Sequence, residues 1–179
     1  RVRGMAEECD NLATIQLFAD SCDGFAGLTA AIVEELHQDY RGVTLPVFAL
    51  SRPPQSGKVQ HTNQSLNLQL QTLSLPYFYS QVSEYASVVV PIACSSWDPR
   101  WAHSHVAFNP RSDYHSSALV AAAIDGLMAP SYLHRSSDSI EQVNAASIFD
   151  MTYQATVAGR LPLCHLETAL PFTLYPDAD

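Results

Sequence analysis

Basic residues are scarce: nine Lys and Arg stand against 18 Asp and Glu, a formal charge of −9 over 179 residues. Binding along a nucleic-acid backbone rests on cations that neutralise phosphates, so direct nucleic-acid contact is not expected, nor is an electrostatic anchor on anionic lipid. No apolar run reaches the ~20 residues needed to span a bilayer, so no transmembrane segment is expected. The four cysteines, Cys9, Cys22, Cys94 and Cys164, form no Cys-x-x-Cys pair. Zinc ribbons and small disulfide scaffolds are thereby disfavoured, and reduced, mostly buried thiols in a reducing compartment are expected. A Gly-x-Ser-x-Gly elbow for serine hydrolysis is missing, as are internal repeats and low-complexity tracts. Charged residues make up only 15% of the chain while 47% are hydrophobic. Such a chain buries a core rather than staying disordered, and its length suits one domain.

The opening, Arg1-Val-Arg3 followed by Glu7, Glu8 and Asp10, is charged where a signal peptide would be apolar, and it has no initiator Met. It reads as the interior of a longer chain. Val2, Met5, Ala6 and Cys9 recur at near-helical spacing and predict the tail of a helix over 2–10, ended near Asn11.

The stretch from Thr14 to Leu36 organises the rest. Ile15, Leu17 and Phe18 form a run too short for a helix but suited to a buried strand, whereas Leu28, Ala31, Ile32 and Leu36 mark a helix face running to Tyr40. Between them lies the loop Ser21-Cys-Asp-Gly-Phe-Ala-Gly27. A strand feeding a helix through a Gly-containing turn sets the helix N-terminus, with its unpaired N–H groups, at the carboxyl edge of a sheet, where phosphates bind in doubly wound folds.

Arg41-Gly42 closes this helix, and Val43 to Ser51 predicts a second strand, with Pro46 pointing to an edge position or a bulge. After a Pro/Ser/Gly loop from Ser51 to Lys58 the pattern is ambiguous: Leu66, Leu68 and Leu70 alternate as in a strand, while Leu66, Leu70 and Leu73 fit a helix. Glu84 to Cys94, centred on Val88 to Ile92, predicts a third strand, preceded by an aromatic loop at Tyr77-Phe-Tyr79 and followed by an irregular loop over 95–112. Ser116 to Met128 is apolar nearly all round and predicts a buried helix. Asp138 to Ala146 reads as a short helix capped by Asp138 or Ser139, and Leu161 to Leu166 as the start of a further strand.

The order acidic helix end (Ala6 to Asp10), strand, small-residue loop, helix ending Asp39-Tyr40 and second strand resembles the tubulin superfamily around its phosphate loop. The Glu8-Cys-Asp10 and Asp23-Gly-Phe-Ala-Gly27 wording resembles the Misato family of tubulin-like proteins, most strongly over residues 2–50. The resemblance implies an α/β fold with a mainly parallel sheet and helices on both faces. Residues 1–130 would form part of a nucleotide-type domain ending in a central helix, and 131–179 would begin the following region. It places a helix over the ambiguous leucines and implies that the first strands lie upstream of Arg1. It further implies a role in mitochondrial distribution, morphology and mitochondrial DNA inheritance, a mitochondrion-associated and cytoplasmic location, and protein partners of the cytoskeletal or mitochondrial-surface kind.

In that superfamily the phosphate loop is nearly all Gly, because bare backbone must wrap the phosphates. Here the positions read Ser21, Cys22, Asp23, Gly24, Phe25, Ala26 and Gly27, following Asp20. Asp23 places a negative charge beside a polyphosphate, a repulsion on the order of 1 kcal/mol at ~4 Å even with water-like screening. Nucleotide binding is therefore expected to be lost, leaving a non-catalytic module without a cofactor. The alternative is a divergent GTPase in which Asp20 and Asp23 hold Mg²⁺ and so restore GTP affinity. A turn at Asp23-Gly24 and a strand-end cap at Asp20 account for the same residues without any ligand.

Other candidates carry less. Asp138-Ser-Ile-Glu141 resembles the stretch by which one tubulin subunit presents a carboxylate to its neighbour's nucleotide, yet a Glu in a first helical turn is favoured by the helix dipole alone. His103, His105, Asp98 and His115 offer imidazoles for a metal without a recognised spacing. Gln55-Ser-Gly57-Lys58 ends like a P-loop, but Arg52 replaces the required first Gly. Cys22 sits before a helix N-terminus that would favour a thiolate, against Asp20 and Asp23, which oppose one. Trp97 and Trp101 around Asp98-Pro-Arg100 suit either a binding hot spot or the cover of a core edge.

Overall fold

The computed structural model describes residues 2–9, 12–51, 61–93, 112–132, 148–157 and 159–166. In chain order these form α1 (Val2–Glu8), β1 (Leu17–Asp20), α2 (Gly24–Asp39), β2 (Pro46–Ser51), α3 (His61–Tyr85), β3 (Val88–Ala93), α4 (Asp113–Tyr132) and α5 (Ile148–Ala155).

The three strands make a parallel sheet in the order β1-β2-β3, with Phe18 opposite Phe48 and Phe48 opposite Val90. Parallel neighbours need a crossover, and α2 and α3 supply the two. Because side chains alternate along a strand, the sheet feeds two cores. On one face Ala19, Val47, Ala49 and Val89 pack with Ala26, Ala30 and Val33 of α2 and with Phe78 and Val82 of α3. On the other, Phe48, Val88, Val90 and Ile92 pack with Val120, Ile124 and Met128 of α4. Helices cover both faces, so the α/β architecture expected from the sequence is the one observed.

Several local expectations are corrected. Pro46 is neither at an edge nor in a bulge: it is buried as the first residue of the central strand. Thr44 turns its N–H and C=O toward the β1 side, pairing with Ala13 and Ile15. Residue 46 faces the same side, where proline has no N–H to offer. Regular pairing with β1 accordingly resumes only at Leu17 opposite Val47, after the isolated bridge of Thr14 and Thr44. A first strand position tolerates this loss.

Tyr77-Phe-Tyr79 is not a loop, and Glu84 is not in a strand; both lie within α3 despite Pro76 in the same helix. Burial of Phe78 and Val82, four residues apart, holds this part of the helix to the sheet. α4 is not apolar on all sides in its packing either. Val120, Ile124 and Met128 form one buried stripe, while Ala121, Ala122 and Asp125 are exposed. The helical face expected on α1 covers nothing among the described residues, since Val2 and Met5 are exposed. Phe18, expected in a buried strand, is exposed as well.

α5, which the sequence pattern did not mark, leads through a turn at Thr156 back to the sheet. Thr156 Oγ1 donates to Thr152 O at 2.7 Å and accepts from Gly159 N at 3.2 Å. The stretch expected to begin a further strand then runs parallel to β3: Val89 N donates to Pro162 O and Cys164 N donates to Val89 O, at 2.6 and 3.1 Å.

Candidate functional site

The strand-to-helix junction is shorter than its sequence pattern predicts. α2 begins at Gly24, so Gly24 to Gly27 form its first turn and the connecting loop is only Ser21 to Asp23. The cause is Asp23, which has extended backbone and caps the helix: its Oδ1 accepts from Phe25 N at 2.8 Å, and its C=O from Ala26 N at 3.0 Å.

Each loop residue is tied down. Asp20, half-buried at the end of β1, accepts from Cys22 N through Oδ1 at 2.8 Å. Ser21 is fully buried and donates to Leu50 O twice, from its N–H at 3.0 Å and its hydroxyl at 3.1 Å, which anchors the loop to β2. Cys22 is buried with its thiol 3.8 Å from Ser21 Oγ, and its carbonyl accepts from Ser74 Oγ of α3 at 3.3 Å. Tyr79, further along α3, is half-buried beside this turn. Its phenol lies above the ordinary value mainly because burial disfavours phenolate, with the Ser21 hydroxyl opposing the rise and the Cys22 thiolate adding to it.

Consequently the N–H groups of Ser21, Cys22, Phe25 and Ala26 all donate to oxygens of the protein itself. In a phosphate loop such donors point at the ligand. Here carboxylates of the chain occupy two of them, and a phosphate approaching this turn meets Asp20 and Asp23 first. Ala26 is drawn into the core, whereas Asp23, Gly24, Phe25 and Gly27 are exposed. Neither glycine is required by space: a Cβ at Gly24 or Gly27 would meet nothing within 4 Å.

The eight residues singled out from sequence, Asp20 to Gly27, are thus brought together as one turn. Ser74, which holds it from α3, and Tyr79, which lies beside it, were not foreseen, because the aromatic cluster containing Tyr79 read as a loop. Of the imidazole candidates His115 lies on α4, its ring 6.2 Å from that of Tyr114. Asp98, His103, His105, Trp97, Trp101, Gln55 to Lys58 and Glu141 fall outside the described residues. Among the described residues no group of three or more His, Cys, Asp or Glu side chains is assembled, and no helix is long and apolar enough to cross a membrane. An open cleft of about 530 Å³ lies away from the loop, between Gln16 and Phe18 on one side and Ala121, Ala122, Ile124 and Asp125 of α4 on the other.

Comparison with known proteins gives this arrangement its family. Residues 1–133 match the family model of a tubulin domain. Protein DML1 of Gibberella zeae is 29% identical over 168 residues, which is 94% of this chain and 31% of that protein. Protein misato homolog 1 of Danio rerio is 28% identical, covering 82% of this chain and 25% of its own length. The human misato homolog 1 is 24% identical over 98% of this chain and 29% of its own. The chain therefore spans between a quarter and a third of these relatives. With a parallel sheet, helices on both faces and the match to a tubulin domain over most of its length, the chain belongs to the Misato/DML1 family of tubulin-like proteins.

Proposed function

We propose that this chain is a non-catalytic tubulin-like module that acts through protein contacts in mitochondrial distribution, morphology and mitochondrial DNA inheritance, at the mitochondrion and in the cytoplasm. The observation that supports loss of turnover is that the protein's own oxygens already hold four of the N–H groups of this turn. Asp20 and Asp23 hold the Cys22 and Phe25 amides, and Leu50 O and Asp23 O hold those of Ser21 and Ala26. A nucleotide would have to displace bonds already made and sit beside two carboxylates. The mitochondrial role rests on the family resemblance.

The second reading is a divergent GTP-binding protein. Only Oδ1 of Asp20 and of Asp23 enters the loop's hydrogen bonds; the remaining oxygens stand at the carboxyl end of β1, where a Mg²⁺ ion would reverse the local charge argument.

Calorimetric titration of GTP and GDP into the full-length protein, with and without Mg²⁺, separates the two. The module reading expects no saturable heat and no thermal stabilisation by nucleotide. Micromolar or tighter binding that requires Mg²⁺ and disappears in Asp23→Ala would overturn it in favour of the GTP-binding reading.

A further inference from the structure

The face of α3 turned away from the sheet carries a row of large apolar side chains at helical spacing. Leu70, Leu73 and Tyr77 are 56%, 72% and 55% exposed. Two contacts fix where this row lies. Ser74 reaches the Cys22 carbonyl just before α2, and the Tyr85 ring lies 5.7 Å from that of His37 on α2. Residues 74, 81 and 85 therefore make the flank of α3 that faces α2, and the row 70, 77, 84 runs immediately outside it.

The same contacts place the matching row of α2. His37 faces α3, so Gly27, Ala31, Glu34 and Gln38 line the outer shoulder of α2 along the same groove. The groove changes character along its length. Beside Tyr77 its α2 wall is built from Gly27 and Ala31, and a Cβ at Gly27 would meet nothing within 4 Å, which leaves room against the apolar wall. About two turns further on, or ~10 Å, Glu34 and Glu84 flank the groove. Both raise the Tyr85 phenol above its ordinary value, Glu34 more than Glu84. Glu34 accepts a hydrogen bond from Gln38 Nε2 at 3.4 Å along its own helix, and neither carboxylate takes part in an ion pair among the described residues, where Arg3 to Glu7 is the pair present.

We propose that the α2–α3 groove is a docking site for an amphipathic helix of a partner protein. That helix would place apolar side chains against Leu73 and Tyr77 and a Lys or Arg about two turns further on, between Glu34 and Glu84. An apolar wall beside a small-residue shoulder accepts the helix face, and the carboxylates complement the cation and set its direction. The inference rests on the protein-contact reading above for its expectation of a partner, but its surface lies away from the Asp20–Asp23 turn's ligand side and is tested separately.

The test uses the full-length protein and a fluorescein-labelled peptide of about four helical turns, with Leu on one face of its first half and Lys on the same face of its second. Fluorescence anisotropy is expected to show saturable binding that weakens with salt. Leu73→Ser with Tyr77→Ser is expected to lower affinity at least ~10-fold, the scale of losing central apolar anchors, and Glu34→Gln with Glu84→Gln roughly 3-fold with a flatter salt dependence. Tyr114→Ser, on α4, serves as the control. Because all of these positions are exposed, unchanged circular dichroism and Tm separate lost binding from lost folding.

Absent saturable binding, equal binding by the groove variants, or equal binding of a peptide with Glu in place of Lys would each overturn the proposal. So would dimerisation of the protein itself that is abolished by Leu73→Ser, since the occupant would then be a second copy. GTP titration of the same preparation keeps the two readings apart. Nucleotide binding would overturn the non-catalytic module and leave the groove standing, and failure of the peptide would do the reverse.

Discussion

The Phe18 ring stacks on the Phe48 ring, with centroids 5.1 Å apart and planes 18° apart, yet Phe48 is 1% exposed and Phe18 56%. They are register partners on β1 and β2, projecting to the same face of the sheet. Phe48 sits amid Val88, Val90, Ile124 and Met128, so truncating it opens a cavity; Phe18 has a packed ring on one side only. Phe48→Ala is expected to cost about 3–5 kcal/mol and Phe18→Ala about 1 kcal/mol, the scale of an aromatic pair. Urea unfolding of both variants reads the difference, and equal costs would refute this account of the pair.

Capping by Asp23 makes a separate prediction. Asp23→Ala removes the acceptor for Phe25 N and is expected to destabilise by about 0.5–2 kcal/mol, whereas Asp23→Asn retains an acceptor and should recover most of that loss. If Asn and Ala prove equally costly, the side-chain oxygen is not what holds the first turn of α2.

Gly27 lies in a helix, is exposed, and has open space where a Cβ would go. Gly27→Ala is therefore expected to stabilise the protein by up to about 1 kcal/mol through helix propensity, seen as a higher urea midpoint. A lower midpoint would mean that the glycine serves a close approach this geometry does not contain.

The three cysteines among the described residues should react in a fixed order. Cys9 is exposed, Cys164 is half-buried with its thiol pushed up by burial, and Cys22 is buried under Ser74. Since the thiolate is the reacting form, iodoacetamide followed by mass spectrometry should find Cys9 modified first, Cys164 slowly, and Cys22 only on unfolding. Early loss of Cys22 would show that α3 opens away from the loop.

Alkali should loosen the same clamp. The folded-state value of Tyr79 is raised above the ordinary 10.0, so the protonated phenol's contribution is fully present below that pH and is lost as pH climbs through the folded value. Tyr79→Phe cannot ionise. The stability difference between wild type and this variant should therefore move in favour of the variant above about pH 10, and parallel pH profiles would rule out Tyr79 as the group responsible.

Much of this arrangement was legible because local and tertiary demands agree. β2 and β3 bury the apolar runs that marked them, whereas in β1 and α2 the elements were legible but their faces were not: Phe18, Leu28, Ala31 and Ile32 are exposed, and α2 buries Ala26, Ala30, Val33 and Leu36 instead. α3 was harder, since its Gln-rich first half and Pro76 are poor signals and its hold on the sheet comes from Phe78 and Val82. The family resemblance, not the periodicity, placed a helix there. The clamp on the loop was illegible for a different reason: Ser74 reaches the Cys22 carbonyl across a separation of 52 residues, and a serine in an ambiguous stretch carries no local mark of so distant a partner. Asp23 and Gly24 did read as a turn, but that Asp23 would start α2 within the glycine loop depended on which amides its carboxylate reached.

The pairing of Val89 with Leu163 has a consequence for synthesis. β3 is complete long before the segment that covers its outer edge exists, about 70 residues later in the chain. At ribosomal rates of ~5–20 residues per second that interval is on the order of 4–15 s, during which the nascent chain displays an unpaired edge strand rich in valine. Chaperone dependence should therefore fall sharply once Cys164 has cleared the exit tunnel, and a ribosome stalled between α4 and Leu163 should hold the chain at its most aggregation-prone length.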